Sequence, residues 1–152
     1  MEVRNKSGLA SSKVEGKSQG KKEDGSIYFL RGIKNYSSGN KEEAEKDFNE
    51  AIQYDGENYL AYYNRGVFNL NERQFTKAID DFLDSIRLNP KFPEAYYNLS
   101  CCYVYILSFR ESINVLRKAI ALDKELAARA IQDPDFTNIN RMKEFKEITL
   151  VV

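Results

Sequence analysis

The side chains of this chain that could do chemistry are its ten tyrosines, two adjacent cysteines and several paired carboxylates. Tyr28, Tyr62 and Tyr96 could serve as acids or nucleophiles, and Asp80 with Asp81, or Glu42 with Glu43, as proton-transfer pairs. Histidine is absent from all 152 residues, which removes His-based acid–base catalysis, Ser-His-Asp and Cys-His pairs, and imidazole metal sites. The spacing of the rest argues for architecture. Tyr28, Tyr62 and Tyr96 stand 34 residues apart, as structural aromatics with a wet hydroxyl would. The carboxylate pairs fall on expected outer helix faces as solvated surface charge. Cys102 falls on a packing position and reads as a small core hydrophobe. No glycine loop for phosphate and no metal-ligating cluster is legible, so no catalytic, metal or cofactor site is expected.

Composition narrows the class further. Hydrophobic residues make up 42% and charged residues 30%, the balance of an ordinary globular chain. Lys plus Arg equal Asp plus Glu at 23 each, and without a basic excess a nucleic-acid partner is not expected. No apolar run is long enough for a membrane span. Neighbouring Cys101 and Cys102 make no disulfide framework, which points to a reducing, cytoplasmic compartment.

Residues 1 to 25, "MEVRNKSGLASSKVEGKSQGKKEDG", carry six basic residues against four acidic ones and few large apolar ones. Such a segment cannot bury enough surface to offset its ordering entropy, so a disordered polar tail is expected, with a docking arm as the alternative. No apolar stretch follows Arg4 as in a secretory signal, and Glu2, Glu15, Glu23 and Asp24 argue against a transit peptide.

Self-similarity begins at Gly25. Gly32, Gly66 and Ser100 are 34 residues apart, as are Ala44, Ala78 and Ser112, then Phe48, Phe82 and Leu116. Ala51, Ser85 and Ala119 continue the register, with Ile52, Ile86 and Ile120 one residue on. Helices are predicted near 26–38 and 42–55, 59–71 and 75–88, and 93–106 and 109–122. Asn40 is the expected N-cap of the second. The small residues at Gly32, Gly66 and Ser100 mark the closest approach of paired helices, with Ala44, Ala78 and Ser112 opposite and Phe48 and Phe82 filling the seam toward the next unit.

On these columns the chain resembles the tetratricopeptide repeat family. The resemblance implies an all-α superhelix of three helix-turn-helix units, 25–58, 59–92 and 93–126, with a C-terminal cap over 124–148 and an apolar tail at 149–152. Leu126, Ala130, Phe136, Ile139, Met142, Phe145 and Ile148 would cover the third unit, since a terminal repeat must be closed off. Pro134 in "DPDF" marks the helix stop.

Family membership would also imply a concave groove lined by the first helix of each unit. Carried onto this chain, the groove comprises Phe29, Ile33 and Tyr36; Tyr63, Asn64, Val67 and Leu70; and Tyr97, Asn98, Cys101 and Tyr105. Such an apolar strip implies a non-catalytic interaction module that takes a peptide or an amphipathic helix, with Phe29, Tyr36, Tyr63, Tyr97 and Tyr105 as anchors. On that reading Tyr63→Ala weakens partner binding and leaves helicity intact. The alternatives are a self-associating oligomer and a small secretion-type chaperone. A carboxylate clamp for acidic chaperone tails is not expected. Of its Lys, Asn, Asn, Lys and Arg only Asn64 is present, while Phe29, Ile33, Glu94 and Asn98 occupy the other positions.

Overall fold

The computed structural model describes residues 20–150, with side chains from residue 25 onward. Most of the expected polar tail, and the last two residues of the apolar end, therefore lie outside the described residues. Within them the chain forms eight α-helices: α1 (Gly20–Ser37), α2 (Lys41–Tyr54), α3 (Tyr59–Asn71), α4 (Phe75–Leu88), α5 (Pro93–Tyr105), α6 (Phe109–Leu122), α7 (Glu125–Gln132) and α8 (Lys143–Thr149). A 3₁₀ turn, Pro134–Phe136, separates the last two. The fold is all-α. α1 starts ahead of the predicted 26 because lengthening a helix that packing has already nucleated costs little, and Lys21, Lys22 and Glu23 do not oppose it.

Helices pair as α1 on α2, α3 on α4 and α5 on α6, and each pair stacks on the next. The pairing explains the small-residue columns. A Cβ on Gly32 would lie 2.9 Å from the Phe48 ring, and one on Gly66 2.8 Å from the Phe82 ring. Phe48 and Phe82 thus lie against the glycines of their own units as well as facing the seam, where Phe48 meets Phe68 edge-on at 6.5 Å. Ala44 and Ala78 are fully buried.

The three intra-unit turns share one backbone conformation. Their fifteenth residues are Gly39, Arg73 and Leu107, with φ of 81°, 61° and 62°. Glycine adopts this left-handed region freely, whereas Arg and Leu meet steric resistance there. Asn40 occupies the N-cap of α2 as expected, although its side chain makes no cap hydrogen bond. Asn58 does so for α3, its Oδ1 accepting from the Leu60 and Ala61 amides at 3.1 and 3.2 Å.

The terminal segment closes the stack. Leu126, Ala130, Phe136, Ile139 and Phe145 are buried in one cluster with Tyr97, Cys101, Val104 and Leu116, and Met142 and Ile148 pack at its margin. Asp133 is extended before Pro134, as a residue preceding proline should be, and ends α7.

Candidate interaction surface

The predicted groove residues do not form one open strip. Phe29 is fully buried with Ala51, Leu60 and Ala61. Tyr63 is buried with its ring 4.8 Å from Phe92, and Tyr97 lies edge-on to Phe136 at 5.5 Å. Asn64, Val67, Leu70, Asn98 and Cys101 are buried as well. The expectation that Phe29, Tyr63 and Tyr97 face a partner is corrected: each is covered by the next element of the stack. For the third unit that element is the 3₁₀ turn of the chain's own terminal segment. Ile33 and Tyr36 remain half-buried, and Tyr105 is 39% exposed.

Hydroxyl groups fasten these covers. Tyr36 Oη accepts from Asn71 Nδ2, and Tyr63 Oη accepts from Asn98 Nδ2 at 3.0 Å. Tyr97 donates to Asp133 Oδ2 at 2.9 Å and Tyr105 to Asp135 Oδ1 at 2.7 Å. Burial pushes the hydroxyls of Tyr36, Tyr63 and Tyr97 above the ordinary tyrosine range, which makes them worse acids, not better ones. The Arg129 guanidinium lies 4.1 Å from the centre of the Tyr97 ring.

Cys101, Asp133 and Asp135 bring one ligand atom each within 4.8 Å of one another and are the described residues most able to approach a metal ion. Their carboxylates already have structural duties. Asp133 accepts from Tyr97 and from the Asp135 amide, and Asp135 accepts from Tyr105. The cluster ties the cap to α5.

Asp81 is a second correction. Instead of solvated surface charge, it is buried, and Arg65 Nε reaches both its oxygens at 3.1 Å while Asn69 Nδ2 donates at 2.8 Å. The first unit repeats the arrangement with Arg31, Asn35 and Asp47. In the third unit the same columns hold Leu99, Tyr103 and Val115, an apolar replacement. Arg65 also donates from Nη1 to Asn49 Oδ1 at 2.8 Å, linking the first two units. Arg31 holds the Asp47 carboxyl below its ordinary value, whereas burial outweighs Arg65 and raises that of Asp81. The seventh, eleventh and twenty-third columns carried this signal in the sequence. Asp80 is exposed, as expected. A polar cleft of about 290 Å³ opens beside the pair, lined by Glu45, Asn49, Arg65, Asn69, Lys77, Asp80 and Asp81.

An open apolar surface lies at the α5–α6 turn. Tyr105, Ile106 and Leu107 are 39%, 43% and 69% exposed in succession. Tyr105 stacks on Phe75 with ring centres 4.7 Å apart and planes 7° from parallel, and Arg73 lies over the Phe75 ring at 5.7 Å. The equivalent residues of the other turns are Ser37, Ser38 and Gly39, and Asn71, Glu72 and Arg73. Periodic reading overlooked the contrast because it looked for likeness between units.

Against known families, the tetratricopeptide repeat matches three times, at residues 25–58, 59–92 and 93–126. The chain belongs to the tetratricopeptide repeat family. No curated protein matches the sequence. Among solved structures, the Arabidopsis OM64 TPR domain is similar with a TM-score of 0.67 at 22% identity, over 69% of this chain and 87% of that one. The first TPR of Spaghetti (RPAP3), bound to the HSP90 peptide SRMEEVD, gives a TM-score of 0.67 at 17% identity, over 85% and 93%. MamA gives 0.65 at 23% identity over 69% of this chain, which spans 61% of the MamA chain. At such identities the likeness is one of fold. The three tetratricopeptide units are followed by α7, the 3₁₀ turn and α8. No helix among the described residues is long and apolar enough to cross a membrane.

Proposed function

We propose that this tetratricopeptide protein is a non-catalytic interaction module that receives a peptide or amphipathic helix of a protein partner. The observation that carries the reading is the exposed run Tyr105–Ile106–Leu107, which only the third turn possesses and which stacks on Phe75. Half-buried Ile33 and Tyr36 add apolar surface on α1, the inner helix of the first unit. A large side chain held left-handed at Leu107 costs stability that a glycine would spare, as Arg73 does in the second turn. Aromatic anchors backed by a rigid stack are the side chains that concentrate interface energy. Fully buried Phe29, Tyr63 and Tyr97 would support this surface from beneath.

The relative bound to SRMEEVD suggests a peptide as occupant, though not that peptide. Asn64, the one matching clamp residue, is buried, and Asn98 is engaged with Tyr63. Without paired cations an acidic tail has no charge-assisted partner. The test is affinity capture from native lysate with the full chain and with Ile106→Ser/Leu107→Gly, two exposed positions outside the buried clusters. Loss of the same captured proteins by the variant supports the assignment; equal recovery places the docking surface elsewhere.

A further inference from the structure

The two seams between repeats are built from different residues. At the seam of the second and third units, Ile79, Leu99, Tyr103 and Val115 pack in one apolar cluster. The same columns at the first seam hold Glu45, Arg65, Asn69 and Asp81, which line the polar cleft between α2, α3 and α4. An apolar set thus satisfies the fold at these columns, and the cleft is not a demand of the repeat. Asn69 is 3% exposed. Its Nδ2 is engaged by Asp81 Oδ2, while Oδ1, on the other arm of the amide, is buried without a hydrogen-bond partner. Asn35, the equivalent residue of the first unit, is only half-buried. What covers Asn69 is the preceding unit, whose Glu45 and Asn49 form the facing wall of the cleft, so the orphaned oxygen is turned toward that cleft.

A buried acceptor left unpaired is costly, and a donor entering the cleft relieves it. The charges around it call for a cation. Asp81 and Arg65 pair with each other, whereas Glu45, Asp80 and Lys77 make no ion pair among the described residues, which leaves two carboxylates against one ammonium. A monocation balances that difference. Glu45, Asp80 and Asp81 do not gather within the span that three ligands of one metal ion need. A guanidinium suits them better: it is planar, carries one charge and presents donors along separate edges. We propose that this cleft binds an alkylguanidinium group, which donates to Asn69 Oδ1 and lies between the carboxylates of Glu45 and Asp80. At about 290 Å³ the cleft has room for one such group with its alkyl stem. An arginine side chain of a protein and a free guanidinium compound share that chemistry. The site is separate from the α5–α6 turn and does not depend on partner binding there.

Titration of the full chain with butylguanidinium, followed by NMR through the Asn69 side-chain amide, tests it. Saturable shifts of that amide are expected with a Kd on the order of 1 mM. Butylurea, a neutral mimic of the same shape, should bind about tenfold more weakly. Glu45→Gln and Asp80→Asn should each weaken butylguanidinium binding about fivefold or more. Glu144→Gln, an exposed carboxylate on α8, should leave it as in the wild type. Neither Glu45 nor Asp80 holds an ion pair, so circular dichroism melts of their variants should match the wild type. A capped Gly-Arg-Gly peptide separates the two sources: affinity equal to that of butylguanidinium assigns an arginine of a protein, and weaker binding assigns a free compound. Shifts that fail to saturate, that butylurea reproduces or that survive both substitutions overturn the proposal. An Asn69 amide indifferent to butylguanidinium leaves the cleft to water alone and overturns it too.

Discussion

Asn98 on α5 donates a hydrogen bond to the hydroxyl of Tyr63 on α3 at 3.0 Å, with both side chains buried. The two residues stand 35 positions apart, one repeat plus one residue, and Tyr36 with Asn71 repeats that offset. Tyr97 continues the series at 36, with Asp133 in place of an asparagine. A ring expected to meet a partner is thus spent on joining unit to unit.

Tyr63→Phe removes the acceptor and leaves the Asn98 amide buried without a partner, a loss of about 1–3 kcal/mol. Tyr63→Ala adds a cavity and should cost about 3–5 kcal/mol, so its main effect is on thermal stability rather than on binding alone. Denaturant melts of both variants check this. A Tyr63→Phe variant as stable as the wild type would remove the bond from the account.

Leu107→Gly should stabilise the protein by about 1 kcal/mol by relieving the left-handed backbone, raising Tm by roughly 3 °C. Leu107→Ala keeps the strain and should show no comparable gain. Calorimetry that ranks the two variants in the opposite order contradicts the turn geometry.

Ser112 Oγ is buried without a hydrogen-bond partner, in a column that holds Ala44 and Ala78 in the other units. Ser112→Ala should therefore gain up to about 1 kcal/mol. Ser100, whose hydroxyl donates to the Tyr97 carbonyl at 2.6 Å, should give no such gain when changed to Ala. Urea melts of the pair discriminate the two cases.

Asp81→Ala strips Arg65 of its partner and should cost about 3 kcal/mol. Copying the third unit into the second, as Arg65→Leu with Asn69→Tyr and Asp81→Val, should recover most of that loss, because an apolar set of similar shape replaces the ion pair. Equilibrium unfolding of both proteins provides the comparison.

Asp47 and Asp81 should titrate on opposite sides of the ordinary carboxyl value of 3.8. Asp47, lowered by Arg31, contributes stability that is complete above 3.8 and lost as pH falls through its folded value. Asp81, raised by burial, detracts from stability above 3.8, and acidification relieves that penalty. Carboxyl-carbon NMR titration reads both midpoints, and the reverse order would refute the environments described.

The period of 34 residues, with its glycines, alanines and aromatics, determined the helices and their pairing, because each column answers to a local packing need. The stop at Asp133 was legible from Pro134, and the closing role of Phe136, Ile139 and Phe145 from the need to cover the last repeat. Exposure was not. Whether Phe29, Tyr63 and Tyr97 meet water depends on how closely the next element approaches, and neither periodicity nor hydrophobicity encodes that distance. Likewise Asp80 and Asp81 are neighbours in sequence, yet helix rotation sends one to solvent and the other beneath Arg65. Equivalent positions follow from a repeating chain, while their surroundings follow from the neighbours that tertiary packing supplies.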